Sequence, residues 1–264
     1  MPEFFDTHTH LLDAAFDPDR EAVIERSRLA CVRRIVEVAD SPAGWPKAIA
    51  LSRACPAVRA SLGLHPYHAR EFEERLLLGL ERSIRLPEVV AVGEVGLDYG
   101  PHNTATPHDV QQRALERLLT AAKEWDKPVV IHCRNAYEDL LGILRKTYTG
   151  PPPAGRYWGV VHCFSGTPEQ ASACAALGFA IGADGPVTYP KNELLRQAFA
   201  RVGPAATVLE TDCPYLPPQS IRGKRNEPSA VLEVARGLAE VWKLGIEEAA
   251  RVTTANALDL FRLA

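Results

Sequence analysis

The sequence predicts a (β/α)8 barrel extending over residues 1–264 as one domain. Short apolar runs alternate with longer amphipathic ones from end to end, and eight of the short runs have the length and composition of strands. The competing doubly wound sheet lacks its usual glycine-rich dinucleotide signature after the first strand, where the chain reads Asp6-Thr7-His8-Thr9-His10.

The strand candidates are Phe4–His8, Arg34–Ala39, Arg59–Leu64, Val89–Glu94, Pro128–His132, Trp158–His162, Ala180–Ala183 and Thr207–Glu210. Several are near-continuous runs of Val, Ile and Leu, as expected of parallel strands buried on both faces. Helix starts are marked at Ser41-Pro42 and Thr106-Pro107, where a hydroxyl precedes a proline suited to the first helical position. Thr167-Pro168-Glu169-Gln170 has the spacing of a capping box. The chain closes with two amphipathic stretches, Ser229–Lys243 and Ile246–Leu263. Two longer connections stand out: the proline-rich Gly150–Gly155 and the segment from Cys213 to Pro228.

Composition narrows the function classes. An apolar fraction of 46% and a charged fraction of 24% suit a globular protein with a large core. The net charge of −3 argues against coating nucleic acid by long-range electrostatics, so any such contact is expected to be short-range. Met1-Pro2-Glu3 leads straight into a strand, without a basic and then apolar leader, and no run approaches the roughly 20 residues needed to span a bilayer. The six cysteines form no CxxC pair, and reduced thiols in a cytoplasmic protein are expected. Nothing in the sequence calls for an obligate protein partner.

Residues able to bind metal recur at the C-terminal ends of the strand candidates. The first strand leads to His8 and His10, the fourth to Glu94, the fifth to His132, the sixth to His162 and the eighth to Asp212. In a (β/α)8 barrel these ends share one rim. Taken singly, each has a structural reading: a buried histidine in a hydrogen bond, a carboxylate in a rim salt bridge or a helix cap. Their shared position is harder to explain that way. Imidazole nitrogens and carboxylate oxygens suit Zn²⁺ or Mn²⁺, with Mg²⁺ less natural but usable. Six ligands exceed the need of one cation and fit two, with Glu94 as the natural bridge. Cys133, Cys163 and Cys213 each follow a candidate ligand, and strand alternation should turn them outward to pack against helices.

At these residues the chain resembles the TatD family of metal-dependent deoxyribonucleases, within the amidohydrolase-like barrels. The resemblance runs nearly end to end, through Phe5–His10, Gly63-Leu64-His65-Pro66, Gly93–Tyr99, Pro128–Arg134, His162–Thr167, Glu210–Leu216 and Arg222–Pro228. It implies one cation on His8, His10 and Asp212, a second on His132 and His162, and Glu94 between them. It also implies 3′→5′ trimming of nucleic-acid ends, single-stranded DNA and in some cases RNA. One departure is visible: where the family usually has an acidic residue or Asn two positions after the second histidine, this chain has Leu12, with Asp13 next.

On this reading Asp212 is the candidate general base for a water activated by the two cations, and Glu94 acts through its bridging position. His65 is expected to hold or protonate a phosphate oxygen. Arg222, Lys224 and Arg225, with Arg134 as a further candidate, are expected to grip phosphates, the alternative for the first three being a solvated basic turn that neutralises neighbouring acids. The rival readings are an aminoacyl-tRNA deacylase, a small-molecule amidohydrolase with the same cations, and a non-catalytic metal-binding scaffold. Many small-substrate amidohydrolases bridge their metals with a carboxylated lysine. The fourth and fifth strand candidates here contain no lysine, which favours the nuclease branch.

Overall fold

The computed structural model describes residues 2–153 and 157–263. Eight parallel strands pair in sequence order: β1 (Phe4–Thr9), β2 (Val32–Ala39), β3 (Val58–Leu62), β4 (Val89–Asp98), β5 (Val129–Arg134), β6 (Gly159–Val161), β7 (Phe179–Ala183) and β8 (Thr207–Leu209). The ring closes just beyond β8. Thr9 bridges to Cys213, His10 N donates to Cys213 O at 2.8 Å, and Asp212 N donates to His8 O at 3.0 Å. This is the expected (β/α)8 barrel.

Around it lie α1 (Arg20–Leu29), α2 (Trp45–Ala54), α3 (Glu74–Ile84), α4 (His108–Glu124), α5 (Tyr137–Thr147), α6 (Pro168–Ala176), α7 (Glu193–Val202), α8 (Val231–Trp242) and α9 (Ile246–Phe261). The two C-terminal helices fall within the stretches expected for them. The Thr167 capping box forms, with both reciprocal hydrogen bonds present. The other two expected caps do not. Ser41 O instead accepts from Gly44 N in a turn, and α2 begins only at Trp45, whose indole donates to Gly63 O at 2.9 Å. Thr106 Oγ1 donates to Tyr67 O at 3.2 Å, leaving Pro107 in the capping position of α4. At Thr106 a tertiary hydrogen bond overrides the local signal, and at Ser41 a local turn does. The start at Met1 and the Ala154-Gly155 end of the proline-rich connection lie outside the described residues.

Strand alternation divides the core in two. Phe5, Val36, Val38, Val90, Val130, Val160, Ala180 and Val208 pack inside the ring, against Ala257, Leu260 and Phe261 of α9. Phe5 and Phe261 approach to 5.7 Å between ring centroids. The alternate residues, among them Phe4, Ile35, Val89, Ile131, Val161 and Leu209, pack outward in the larger cluster shared with the helices. Apolar packing thus fills the end of the barrel covered by α9. Two residues after Val130 and Val160, on the same face, come His132 and His162.

β4 runs four residues further than expected, and all ten of its residues are buried. Its extension pairs Gly96 with His132 and Asp98 with Arg134. Close approach at two glycines makes this possible. A Cβ on Gly63 would lie 2.4 Å from Glu94 O, and one on Gly96 would lie 2.0 Å from His132 O. Gly142 is different: it is exposed on α5, and a methyl group added there would have nothing within 4 Å.

Gly63→Ala is therefore expected to destabilise the fold by about 1–3 kcal/mol through forced overpacking. Gly142→Ala should stabilise it by about 0.5–1 kcal/mol, because Ala loses less backbone freedom in a helix. Denaturant unfolding of both variants checks the pair, and equal effects at the two positions would contradict this packing.

Candidate metal centre

The barrel brings together all six side chains singled out at the strand ends. His8 lies in β1 and His10 just after it, Glu94 is in the middle of β4, His132 is in β5, and His162 and Asp212 follow β6 and β8. Strands β6 and β8 are shorter than expected, so His162, Glu210 and Asp212 stand in the first residues beyond them. Asp212 has φ of 54°, a left-handed conformation that turns its carboxylate into the cleft.

The donor atoms converge in two sets around one carboxylate. On one side His8 Nε2 and His10 Nε2 are 3.3 Å apart. Asp212 Oδ1 lies 3.6 and 3.3 Å from them, and Glu94 Oε2 lies 3.5 Å from His8 Nε2. On the other side Glu94 Oε1 lies 2.9 Å from His132 Nδ1 and 2.7 Å from His162 Nε2, which are 3.4 Å from each other. Two nitrogens bound to one cation at ordinary bond lengths and a tetrahedral angle would be separated by about 3.3 Å. Both histidine pairs have that spacing. The donor set fits two divalent cations flanking Glu94, which offers one oxygen to each side.

A layer of buried acids supports these side chains. Asp98 Oδ2 meets His132 Nε2 at 2.9 Å, which orients the ring with Nδ1 toward Glu94. Asp6 accepts from Thr211 N at 2.9 Å and Thr211 Oγ1 at 2.6 Å, tying β1 to the segment that carries Asp212. Glu37 accepts from Leu11 N at 2.6 Å and Leu12 N at 3.1 Å, fixing the chain just after His10. Glu210 accepts from Cys163 N and lies 3.8 Å from His162 Nδ1. Burial raises the pKa of Asp6 to about 8 and of Glu37 to about 7, against the hydrogen bonds each accepts. Glu210 is also held well above the usual carboxylate range, by burial first and then by Asp184.

None of these supporting acids was assigned a role from the sequence. Asp98 carried a usable signal, since it lies four residues after Glu94 on the same strand and therefore on the same face. For Glu37 and Glu210 the signal is tertiary. Cys133 and Cys213 pack in the larger core cluster as expected, but Cys163 does not. β6 has ended, its φ of 44° breaks the alternation, and its thiol donates to Asp184 Oδ2 at 3.0 Å beside the cleft.

The cleft above the donor atoms has a volume of about 890 Å³. His65 and Arg134 line it, as does Lys47, which sequence reasoning missed. The segment 222–225 is placed elsewhere. Arg225 binds Asp19 at 2.7 Å and Glu227 at 3.0 Å and lies over the Phe16 ring. Arg222 lies over the Tyr189 ring at 4.5 Å. Neither residue lines the cleft, nor does Lys224. Arg225 joins the chain after β8 to the start of α1, while Arg222 and Lys224 are exposed.

Without cations the carboxylates hold protons on His10 and His132. Burial opposes charge on His10 and His132, but Asp212 beside the first, and Asp98 and Glu94 beside the second, outweigh it. These pairings raise the two pKa values to about 10 and about 9. Both rings are then protonated at pH 7.5 and must be deprotonated to bind a cation. Titrating metal-free protein with Zn²⁺ or Mn²⁺ at that pH is expected to release about two protons, declining as pH rises past 9–10 while apparent affinity increases. Calorimetry in buffers of different ionisation enthalpy measures this, and no proton release at pH 7.5 would contradict the pairing.

Residues 5–262 match the family model described as TatD related DNase. The chain is 37% identical to the uncharacterized metal-dependent hydrolase YabD of Bacillus subtilis, covering 98% of this chain and 99% of that one. It is 34% identical to the 3′-5′ ssDNA/RNA exonuclease TatD of Pantoea vagans, covering 98% and 100%. The crystal structure of YjjV, a TatD homologue from Escherichia coli K12, superposes with a TM-score of 0.88 at 32% identity, covering 99% of this chain and 98% of that one. With its barrel and clustered histidines and carboxylates, the chain belongs to the TatD family of metal-dependent hydrolases.

Proposed function

We propose that this chain is a single-domain 3′→5′ exonuclease that trims single-stranded ends of DNA, and of RNA, at the centre bracketing Glu94. The observation that carries this reading is the division of the Glu94 carboxylate between two histidine sets, Oε2 toward His8 and Oε1 toward His132 and His162. Under this assignment His8, His10 and Asp212 would hold one cation, His132 and His162 the other, and Glu94 would serve both. Two divalent cations held there, Mg²⁺, Mn²⁺ or Zn²⁺, supply electrostatic stabilisation of a phosphate and acidify a water.

The remaining roles follow from the chain's own groups. Asp212 directs Oδ1 at His8 and His10 and has a second carboxylate oxygen with which to take a proton from the attacking water. His65 Nδ1 accepts from Tyr67 N at 3.2 Å, so the neutral ring carries its proton on Nε2, facing the cleft. Burial keeps that ring neutral, its pKa lowered to about 3. His65 is then a hydrogen-bond donor to a phosphate oxygen and not a fifth metal-binding histidine, although its Nε2 is 3.7 Å from Glu94 Oε1. Arg134 and Lys47 are exposed at the cleft, and neither has an ion-pair partner among the described residues. They are the groups best placed to hold flanking phosphates. The name of the Pantoea relative, a 3′-5′ ssDNA/RNA exonuclease, supports the same reading. No helix among the described residues is long and apolar enough to cross a membrane.

Digestion of 5′-labelled single-stranded DNA with Mg²⁺, Mn²⁺ or Zn²⁺ is expected to give a ladder shortening from the 3′ end. Chelator should abolish the ladder and His132→Ala should lose it. Intact substrate with every metal would remove the nuclease reading. Lys47→Ala and Arg134→Ala should each weaken binding and flatten the dependence of log(kcat/KM) on log[salt] by about 0.7. An unchanged salt slope in both variants would show that these cations do not touch phosphate.

A further inference from the structure

Among the described residues, the large apolar side chains exposed at the surface include two aromatic rings, Tyr67 at 44% and Tyr215 at 51%. Both line the cleft. Each stands edge-on to a histidine of the centre. Tyr67 meets His65 at 4.5 Å between centroids and 87° between planes, and Tyr215 meets His10 at 5.9 Å and 67°. Other tyrosines have a ring face occupied: Tyr99 stacks on His108 at 3.6 Å, and Arg222 covers Tyr189.

The two rings end a continuous row of contacts. From Tyr215 it passes to His10, to Asp212 at 3.3 Å, to His8 at 3.6 Å, to Glu94 at 3.5 Å, to His65 at 3.7 Å and finally to Tyr67. Glu94 stands inside the row, with an aromatic ring at each end. Both rings are also anchored. Tyr215 OH donates to Asp13 Oδ2 at 2.8 Å, and Asp13 also caps the following turn through Ala15 N at 2.7 Å. Tyr67 is held through its backbone, its N–H donating to His65 Nδ1 and its carbonyl accepting from Thr106 Oγ1. Asp13 is the residue that follows Leu12 at the point where this sequence departs from its family's usual pattern, and its carboxylate has a purpose there: it holds the Tyr215 ring.

We infer that Tyr67 and Tyr215 are paired stacking platforms that hold the bases on either side of the scissile phosphodiester, one ring at each end of the metal centre. Rings accept any base on their faces, so the pair selects for unpaired, unstacked nucleotides with little preference for sequence. A base inside a duplex has both faces covered by its neighbours, which restricts such a clamp to single-stranded ends. This inference rests on the nuclease reading and specifies how that site chooses its substrate.

The test uses a phosphorothioate-linked single-stranded oligonucleotide with 2-aminopurine at its 3′-terminal or penultimate position, whose fluorescence falls when the base stacks. With metal-loaded wild-type protein, quenching is expected at both positions. Tyr67→Leu and Tyr215→Leu should each abolish quenching at one position and raise KM for the unmodified oligonucleotide about tenfold, with a smaller change in kcat. Tyr67→Phe should retain both the quenching and the wild-type KM, since it keeps the ring. Tyr215→Phe should retain the quenching with a smaller rise in KM than Tyr215→Leu, since it keeps the ring but loses its anchor to Asp13. Circular dichroism and metal content establish that the Leu variants are folded and loaded. Quenching and KM unchanged in both Leu variants, while wild-type protein digests the oligonucleotide, would overturn the stacking inference and leave the nuclease reading intact. Wild-type protein that hydrolyses bis-p-nitrophenyl phosphate but neither binds nor shortens any oligonucleotide would overturn both.

Discussion

The whole centre depends on one buried carboxylate shared between two sets of imidazoles. Glu94 is 3% exposed and sits at the middle of a fully buried strand. A charge in that position is unfavourable unless it is paired on every side. The structure surrounds it with His8, His65, His132 and His162, and against the cost of burial His162 and His132 hold its carboxyl well below the usual range. With the two oxygens facing different histidine pairs, the site is divided before any cation enters. The rest of the rim can be understood as what keeps this arrangement in place.

That support is mostly acidic and mostly buried. Asp98 orients His132, Asp6 ties β1 to the segment after β8, and Glu37 fixes the backbone after His10. The effect is to orient the His132 ring directly and to fix the backbone that carries His10 and Asp212. The energetic cost is visible in the raised pKa values of Asp6, Glu37 and Glu210, which burial pushes toward neutrality. At the other end of the barrel, apolar side chains and α9 fill the interior. Stability and chemistry are thus separated along the barrel axis, as is usual for this fold.

Much of this was legible in the sequence. Period-two alternation carried His132 and His162 from the Val130 and Val160 face into the site, and strand order brought His8, Glu94 and Asp212 to the same rim. What the sequence could not show was set by tertiary contacts. Thr106 pairs with Tyr67, so it no longer caps α4, and Cys163 leaves the strand pattern because β6 has already ended. In the basic segment one partner acid comes from distant sequence: Arg225 is paired with Asp19 as well as with nearby Glu227, while Arg222 rests on the Tyr189 ring. Lys47, unremarkable in sequence, reaches the cleft from α2.

The central claim is that Glu94 stands between two cation positions. Anomalous diffraction at the manganese edge from a Mn²⁺-soaked crystal tests it most directly. The account requires two peaks about 3.5–4 Å apart, one beside His8, His10 and Asp212 and the other beside His132 and His162. A single peak, or a peak centred on His65 with either histidine pair left bare, would contradict it.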